Sequence, residues 1–171
     1  MTLATILTDE KHYEEALEVQ QRLLVLSAEV LGEAHPRRLQ YEVLMTDPLL
    51  LVGRPAEALT RMQRLADSGR LIDGPRERAI YLLALGKIES DLGAATSARD
   101  HLSEALENCA PEDGLRLDTL VALIRASALD GDAEATKLWH DLALAWIHGK
   151  PAVNASYLTF LPRFDAQALI A

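Results

Sequence analysis

The sequence is poor in the residues that build disulfide frameworks, membrane spans and β-sheets. Cys109 is the sole cysteine among 171 residues, so no internal disulfide can form. Aromatic residues make up only 5% of the chain, and Val, Ile and Thr are sparse. No apolar run approaches the roughly 20 residues that span a bilayer. The first residues lack the basic start and long apolar core of a signal peptide. These absences favour a cytoplasmic protein without a sheet.

Positive charge is also scarce. The formal net charge is -9, which argues against nucleic-acid binding, because a phosphate backbone requires a basic surface. The charge is uneven, with -5 over residues 1–36, +3 over residues 37–87 and -7 over residues 88–171. Such blocks usually mark solvated helix faces.

Leu and Ala, which favour helices, dominate the composition. Helix-breaking positions that contain glycine or proline divide the chain at regular intervals. The stretches between them have helix length, and the spacing is typical of helix–turn–helix pairs. We therefore predict an all-α fold of about seven or eight helices. The breakers are Gly32 to Pro36, Gly53 to Pro55, Ser68 to Pro75, Gly93, Pro111 to Gly114, Gly131 and Gly149 to Pro151.

Two segments show the apolar spacing of an amphipathic helix clearly. Residues 13–31 and 80–92 both place apolar side chains at i, i+3, i+4 and i+7, which predicts one buried face on each helix. Pro48 lies inside another helical stretch, Leu39 to Val52, where it should kink or restart the helix.

A repeat underlies the helical pattern. One unit contains Leu85-Gly86, Gly93, Ala98, Leu102, Ala105 and Leu106. This arrangement resembles the tetratricopeptide repeat, although Glu89 replaces the family's usual aromatic residue. Ala16, Ala58, Ala98 and Thr136 are equivalent positions separated by 42, 40 and 38 residues. The phrase at residues 30–36, Val-Leu-Gly-Glu-Ala-His-Pro, resembles the connector of kinesin-light-chain-type repeats.

The resemblance implies antiparallel helix pairs stacked as a short right-handed solenoid. Residues 1–150 would hold about three full units and a partial first unit. Residues 151–171 would form an apolar C-terminal tail that caps the array or mediates an interaction. Small residues would let the helices approach closely, at Ala16, Ala58, Gly86, Ala98, Ala105 and Thr136. An unrelated helical bundle, which shares the same binary pattern, is the alternative.

The family register also predicts a ligand-binding groove lined by the first helix of each pair. Lys87 and Arg125 share one groove position, Asp47 is its equivalent in the preceding unit, and Gln40 and Asp118 share another. Two neighbouring cations could hold a carboxylate of an acidic partner segment, or they could simply solvate the groove. A full clamp for chaperone tails is not expected, because apolar residues occupy the corresponding positions, Val43, Leu83 and Val121.

No residue pattern indicates catalysis, a cofactor or a metal site. The five histidines lack the spacing of a zinc motif, the glycines stand singly at turns, and Cys109 has no activating base near it in sequence. We expect Cys109 to be a small buried residue and the chain not to be an enzyme.

The predicted function is a scaffold that binds a protein or peptide. In bacteria, arrays of this kind resemble modules of larger regulators and signalling proteins. The alternative is a structural domain that self-associates through its solenoid ends, for example as a homodimer. Residues 155–171 carry many large apolar groups, which should be covered by the tail folding back, by a second copy, or by the rest of a longer protein.

Overall fold

Helices make up all the regular structure in the described part of the chain. The computed structural model describes residues 6–8, 10–32, 35, 41–68 and 74–149. Residues 6–8 and 41–44 are helical, and seven further helices have defined bounds. They are α1 (Tyr13–Leu31), α2 (Thr46–Leu51), α3 (Pro55–Asp67), α4 (Pro75–Asp91), α5 (Ala95–Asn108), α6 (Leu115–Leu129) and α7 (Ala133–His148). The predicted all-α class is confirmed.

The chain divides into two compact units, Met1–Asp73 and Gly74–Ala171. In the first unit, α2 packs against both α1 and α3. In the second unit, α4 pairs with α5 and α6 pairs with α7, while α6 also contacts both α5 and α4. The second unit is therefore two helix pairs stacked side by side.

Local chemistry explains where the helices of the second unit begin and end. Pro75 occupies the first turn of α4, where its missing N–H has no helical partner to lose. Gly93 and Gly131 end the first helix of each pair with positive φ angles of 79° and 72°, which residues with a Cβ rarely adopt. Asp132 then caps α7, since its carboxylate accepts a hydrogen bond from the Ala135 N–H at 2.9 Å.

Pro48 restarts a helix, as predicted. Residues 41–44 are helical, Met45 is a turn residue, and α2 begins at Thr46. Pro48 thus falls in the first turn of α2, where a proline is tolerated. It is buried, together with Leu49.

The core of the second unit is built where the two pairs meet. Leu102 from α5, Leu123 and Ile124 from α6 and Ile147 from α7 are almost completely buried there. Two threonines share this interior, and each hydroxyl donates to the carbonyl four residues earlier: Thr119 to Leu115 at 2.8 Å and Thr136 to Asp132 at 2.7 Å. These bonds satisfy the buried hydroxyls.

Helix α1 has the predicted bounds and a buried face that is narrower than its apolar pattern. Ala16 and Leu17 are buried, whereas Leu23, Leu26 and Val30 are exposed on the later turns. The predicted buried face continues through Ser27, which is buried, and through Leu24 and Leu31, which are partly buried. The apolar side chains of Leu23, Leu26 and Val30 lie off this face.

Candidate peptide-binding face

The first helices of the two pairs, α4 and α6, lie in contact and form one continuous surface. Lys87 on α4 and Arg125 on α6 occupy equivalent positions, 38 residues apart. Residues 87 and 91 share one side of α4, and residues 118, 121, 125 and 129 share one side of α6, because side chains three or four residues apart point the same way. We call this surface the α4–α6 face.

An ion pair crosses the α4–α6 face. Arg125 Nη2 donates to Asp91 Oδ1, and the Arg125 side chain is 49% exposed while that of Asp91 is 15% exposed. The arginine therefore keeps half of its surface open to solvent while one edge is held by α4. Sequence reasoning placed Arg125 on this face but missed Asp91, although its spacing of four residues from Lys87 puts it on the same side of α4.

The other predicted groove residues are distributed differently. Asp118 is exposed in the first turn of α6, on the same side as Arg125. Asp47 is exposed on α2, in the other compact unit. Gln40 lies outside the described residues. Lys87 is half-buried.

The opposite side of α4 rests against α5. A Cβ added at Gly86 would lie 2.5 Å from Leu102 Cγ and 3.1 Å from the Ala98 carbonyl oxygen. Ala98 and Ala105 on α5 are fully buried, as are Ala16 on α1 and Thr136 on α7, and Ala58 on α3 is nearly so. The close approach of α4 and α5 thus fixes the backbone from which Lys87 projects.

A polar cluster that sequence reasoning did not identify links α4 to α5. Glu89 accepts a hydrogen bond from Ser97 Oγ at 2.9 Å through one carboxylate oxygen and from His101 Nδ1 at 2.7 Å through the other. The Glu89 side chain is only 14% exposed. Glu89 stands where the tetratricopeptide repeat usually has an aromatic residue. That difference was the signal for this cluster in the sequence, because a buried carboxylate requires hydrogen-bond partners.

Three further arginines of the second unit join different elements. Arg99 on α5 contacts Asp130 at 2.7 Å and Asp132 at 3.1 Å, both in the turn between α6 and α7. Arg76 bonds Asp113 at 2.7 Å, and Arg78 bonds Glu104. These partly exposed pairs orient neighbouring helices more than they stabilise them.

Cys109 lies at the end of α5 and is buried. Its sulfur stands 3.7 Å from the Thr119 hydroxyl. Burial raises the pKa of the thiol above its ordinary value of 9.0, which leaves it neutral and unreactive near neutral pH.

Two properties of the described residues bear on ligand class. They contain no group of three or more His, Cys, Asp or Glu side chains placed to hold a metal ion. Their helices include none with the length and apolar content needed to cross a bilayer.

The paired helices, the glycine turns and the buried small residues define a tetratricopeptide-like helical repeat fold. Two solved structures share this fold: a crystal structure from Podosopora anserina, described as a kinesin light chain with nearly identical TPR-like repeats, and a single-substitution variant of it. Each aligns with a TM-score of 0.66 and 19% identity over 98% of this chain and 88% of its own. No protein-family model and no curated protein matches the sequence. The fold expected from the repeat is confirmed.

Proposed function

We propose that this chain is a protein-binding scaffold that holds a short peptide segment on the α4–α6 face. The observation that carries the proposal is the ion pair between Arg125 and Asp91, which ties the two first helices together. Because Lys87 lies one turn before Asp91 on the same side of α4, the ion pair supports a common surface for Lys87 and Arg125. The close contact of α4 and α5 holds the backbone of α4 from behind. A fixed surface loses little entropy when a ligand binds.

The chemistry of the face favours a segment with an acidic group next to an apolar one. An arginine has five N–H donors, so Arg125 can bind Asp91 along one edge and a ligand carboxylate along another. Lys87 adds a second cation at the equivalent position of α4. Val121 is partly buried on the same side of α6, and Leu129 is 57% exposed there, which offers apolar contact.

The charge distribution of the second unit would restrict where an acidic segment can bind. Residues 74–149 carry 13 acidic and 7 basic side chains, so an acidic segment is repelled by most of this unit. Lys87 and Arg125 are the cations of the α4–α6 face, which also carries Asp91 and Asp118, so attraction is confined to the N–H donors of these two side chains. Like-charge repulsion elsewhere helps to reject acidic segments that bind in another position.

A second candidate function is self-association. Leu23, Leu26 and Val30 are exposed along α1, and an apolar surface of this kind is typical of contact sites. A homodimer formed through α1 would bury them. Sedimentation velocity over a range of concentrations distinguishes this function from a monomeric scaffold.

Catalysis is not part of the proposal. The thiol of Cys109, the chain's one cysteine, is buried and neutral, and Glu89 and His101 are bonded to each other between α4 and α5. The cytoplasmic location and the membership of a larger regulatory or signalling protein stay predictions from the sequence and its family resemblance.

The binding proposal can be tested with an array of short synthetic peptides that combine Asp or Glu with apolar residues, each paired with its Asn or Gln counterpart. We expect preferential binding of the acidic members. Lys87→Glu should weaken the best binder by about tenfold, and the loss should shrink at high salt. Lys137→Glu is the matched control, because Lys137 is exposed on α7, away from the α4–α6 face.

Arg125→Gln gives a second test that removes charge without placing a carboxylate beside Asp91. It should also weaken the acidic peptide while far-UV circular dichroism stays unchanged. Equal binding of acidic and amidated peptides, or equal losses from Lys87→Glu and Lys137→Glu, would overturn the proposal.

A further inference from the structure

The two helix pairs of the second unit can be compared residue by residue at their 38-residue spacing. In the first pair, Arg78 on α4 bonds Glu104 on α5. The equivalent residues in the second pair are Arg116 on α6 and Leu142 on α7. The second pair therefore keeps the arginine, and a leucine stands where the first pair has the glutamate that binds it. Arg116 instead donates to the Leu106 carbonyl on α5 at 3.5 Å.

A second position changes in the same way. Leu138 on α7 is equivalent to Asp100 on α5. Leu138 and Leu142 lie one helical turn apart, 53% and 40% exposed, and we call them the α7 stripe. On α3, the corresponding residues are the polar Thr60 and Arg64. Among the three second helices α3, α5 and α7, α7 alone presents leucine at both positions.

The chain itself supplies a candidate to cover the α7 stripe. Beyond Gly149, which ends α7, lie residues 150–171, and residues 157–164 contain Tyr157, Leu158, Phe160, Leu161 and Phe164. This apolar segment lies outside the described residues. Residues 150–171 carry Lys150, Arg163 and Asp165, a net charge of +1, so they are not repelled by the acidic unit.

The distances allow the contact. Leu142 and Leu138 stand seven and eleven residues before Gly149, which is about 10 Å and about 16 Å along the helix axis. The seven residues that connect Gly149 to Tyr157 span up to about 23 Å when extended. The segment can therefore turn back at the end of α7 and reach both leucines without disturbing the helix.

We propose that residues 157–164 fold back onto the α7 stripe and cover Leu138 and Leu142 within the same chain. The replacement of charge by leucine occurs on the helix that directly precedes the most aromatic segment of the sequence. This intramolecular contact is independent of the peptide-binding proposal, because the α7 stripe and the α4–α6 face share no residue.

The test is amide hydrogen exchange on the full chain, followed by mass spectrometry of residues 157–164. We expect this segment to be protected in the wild type and to exchange at least about tenfold faster in the double variant Leu138→Gln/Leu142→Gln, because both apolar contacts are lost. The matched control is Leu23→Gln/Leu26→Gln, which removes two similarly exposed leucines from α1 and should leave the segment protected.

Two further measurements keep the result decisive. Phe160→Ser/Leu161→Ser should make α7 exchange faster while α4 and α5 are unchanged. Protection should not depend on protein concentration. Rapid exchange of residues 157–164 in the wild type, protection that survives the α7 double variant, or protection that appears only at high concentration would each overturn the proposal, and the last result would assign the stripe to a second copy.

Discussion

Replacing Gly86 with alanine tests the close packing of α4 on α5. In a helix interior, alanine is favoured over glycine by about 0.8–1.0 kcal/mol, so propensity alone predicts a more stable protein. The structure predicts the opposite. The new methyl would lie 2.5 Å from Leu102 Cγ, 2.8 Å from Leu102 Cδ2 and 3.1 Å from the Ala98 carbonyl oxygen.

The clash at Gly86 cannot be relieved cheaply. Leu102 is fully buried, and the atom met first is the branch point of its side chain and not a flexible end. Relief requires a new rotamer for Leu102 or a wider separation of α4 and α5, and overpacking of this kind costs about 1–3 kcal/mol. Contacts as short as 2.5 and 2.8 Å belong at the severe end of this range, about 2–3 kcal/mol. Subtracting the propensity gain leaves an expected net loss of about 1–2 kcal/mol. Each kcal/mol corresponds to about 4–8 °C in Tm for a unit of this size.

The assay is urea unfolding followed by tryptophan fluorescence. Both tryptophans, Trp139 and Trp146, lie on α7 in the same compact unit as Gly86, so the signal reports on that unit. Gly114→Ala is the control, because Gly114 has a negative φ of -57° and no atom within 4 Å of its added Cβ. The control should be close to neutral or slightly stabilising.

A double-variant cycle then isolates the contact. Leu102→Ala alone should cost about 2–5 kcal/mol as a cavity-forming change. Once Leu102 is shortened, both contacts with its side chain are gone and only the 3.1 Å approach to the Ala98 carbonyl oxygen stays, so Gly86→Ala should become much less destabilising. A Gly86→Ala protein as stable as the wild type, or an equal effect of the substitution in both backgrounds, would refute the reasoning.

Three other predictions follow from the same unit. Ala98→Leu should overpack the fully buried side of α5 and destabilise by about 1–3 kcal/mol, whereas Ala133→Leu at an exposed position should not; equal melting temperatures would contradict this. Glu89→Ala should cost about 1–3 kcal/mol, because Ser97 and His101 lose their shared acceptor, and unchanged urea unfolding would show that the cluster does not stabilise the pair. Cys109 in the folded protein should react slowly with a thiol reagent, and fast labelling would contradict its burial. The unit should also lose stability as the pH rises above 9.0, because the raised pKa of the folded thiol means that the thiol of the unfolded chain ionises first.

The fold was largely predictable because it depends on features that a sequence displays directly. Leu-Gly at residues 85–86, the turn glycines and the spacing of small residues determine where helices stop and how closely they approach. Burial was harder to predict. On α1, Leu23, Leu26 and Val30 are exposed beside a face on which Ser27 is buried, so the apolar pattern alone did not tell which of its side chains are covered.

The candidate site was predictable only in part, for a physical reason. Repeat register predicts Lys87 and Arg125 on the same face, but the ion pair that a cation forms there depends on side chains from other helices. Asp91 reaches Arg125 from a position 34 residues earlier in the chain. Pairings of this kind depend on rotamers and on the stacking of pairs, and neither follows from periodicity.

The two pairs also show which part of the repeat is structural. Ala98 and Thr136 are equivalent and both fully buried, so the small residue at this position is retained in both pairs. The polar positions differ: Glu89 and His101 are bonded in the first pair, while their equivalents 38 residues later are Ser127 and Trp139. Within the described part of the chain, the Ser127 hydroxyl and the Trp139 indole N–H are buried without a hydrogen-bond partner.

Each such buried group carries a desolvation cost of about 1–3 kcal/mol, yet the second pair has the same architecture as the first. The polar cluster around Glu89 is therefore not what makes two helices pair in this protein. Close packing of small side chains sets the pair, and the surface and interfacial polar residues are free to differ between repeats. That freedom is what allows α6 to present Arg125 and α7 to present the α7 stripe on the same scaffold.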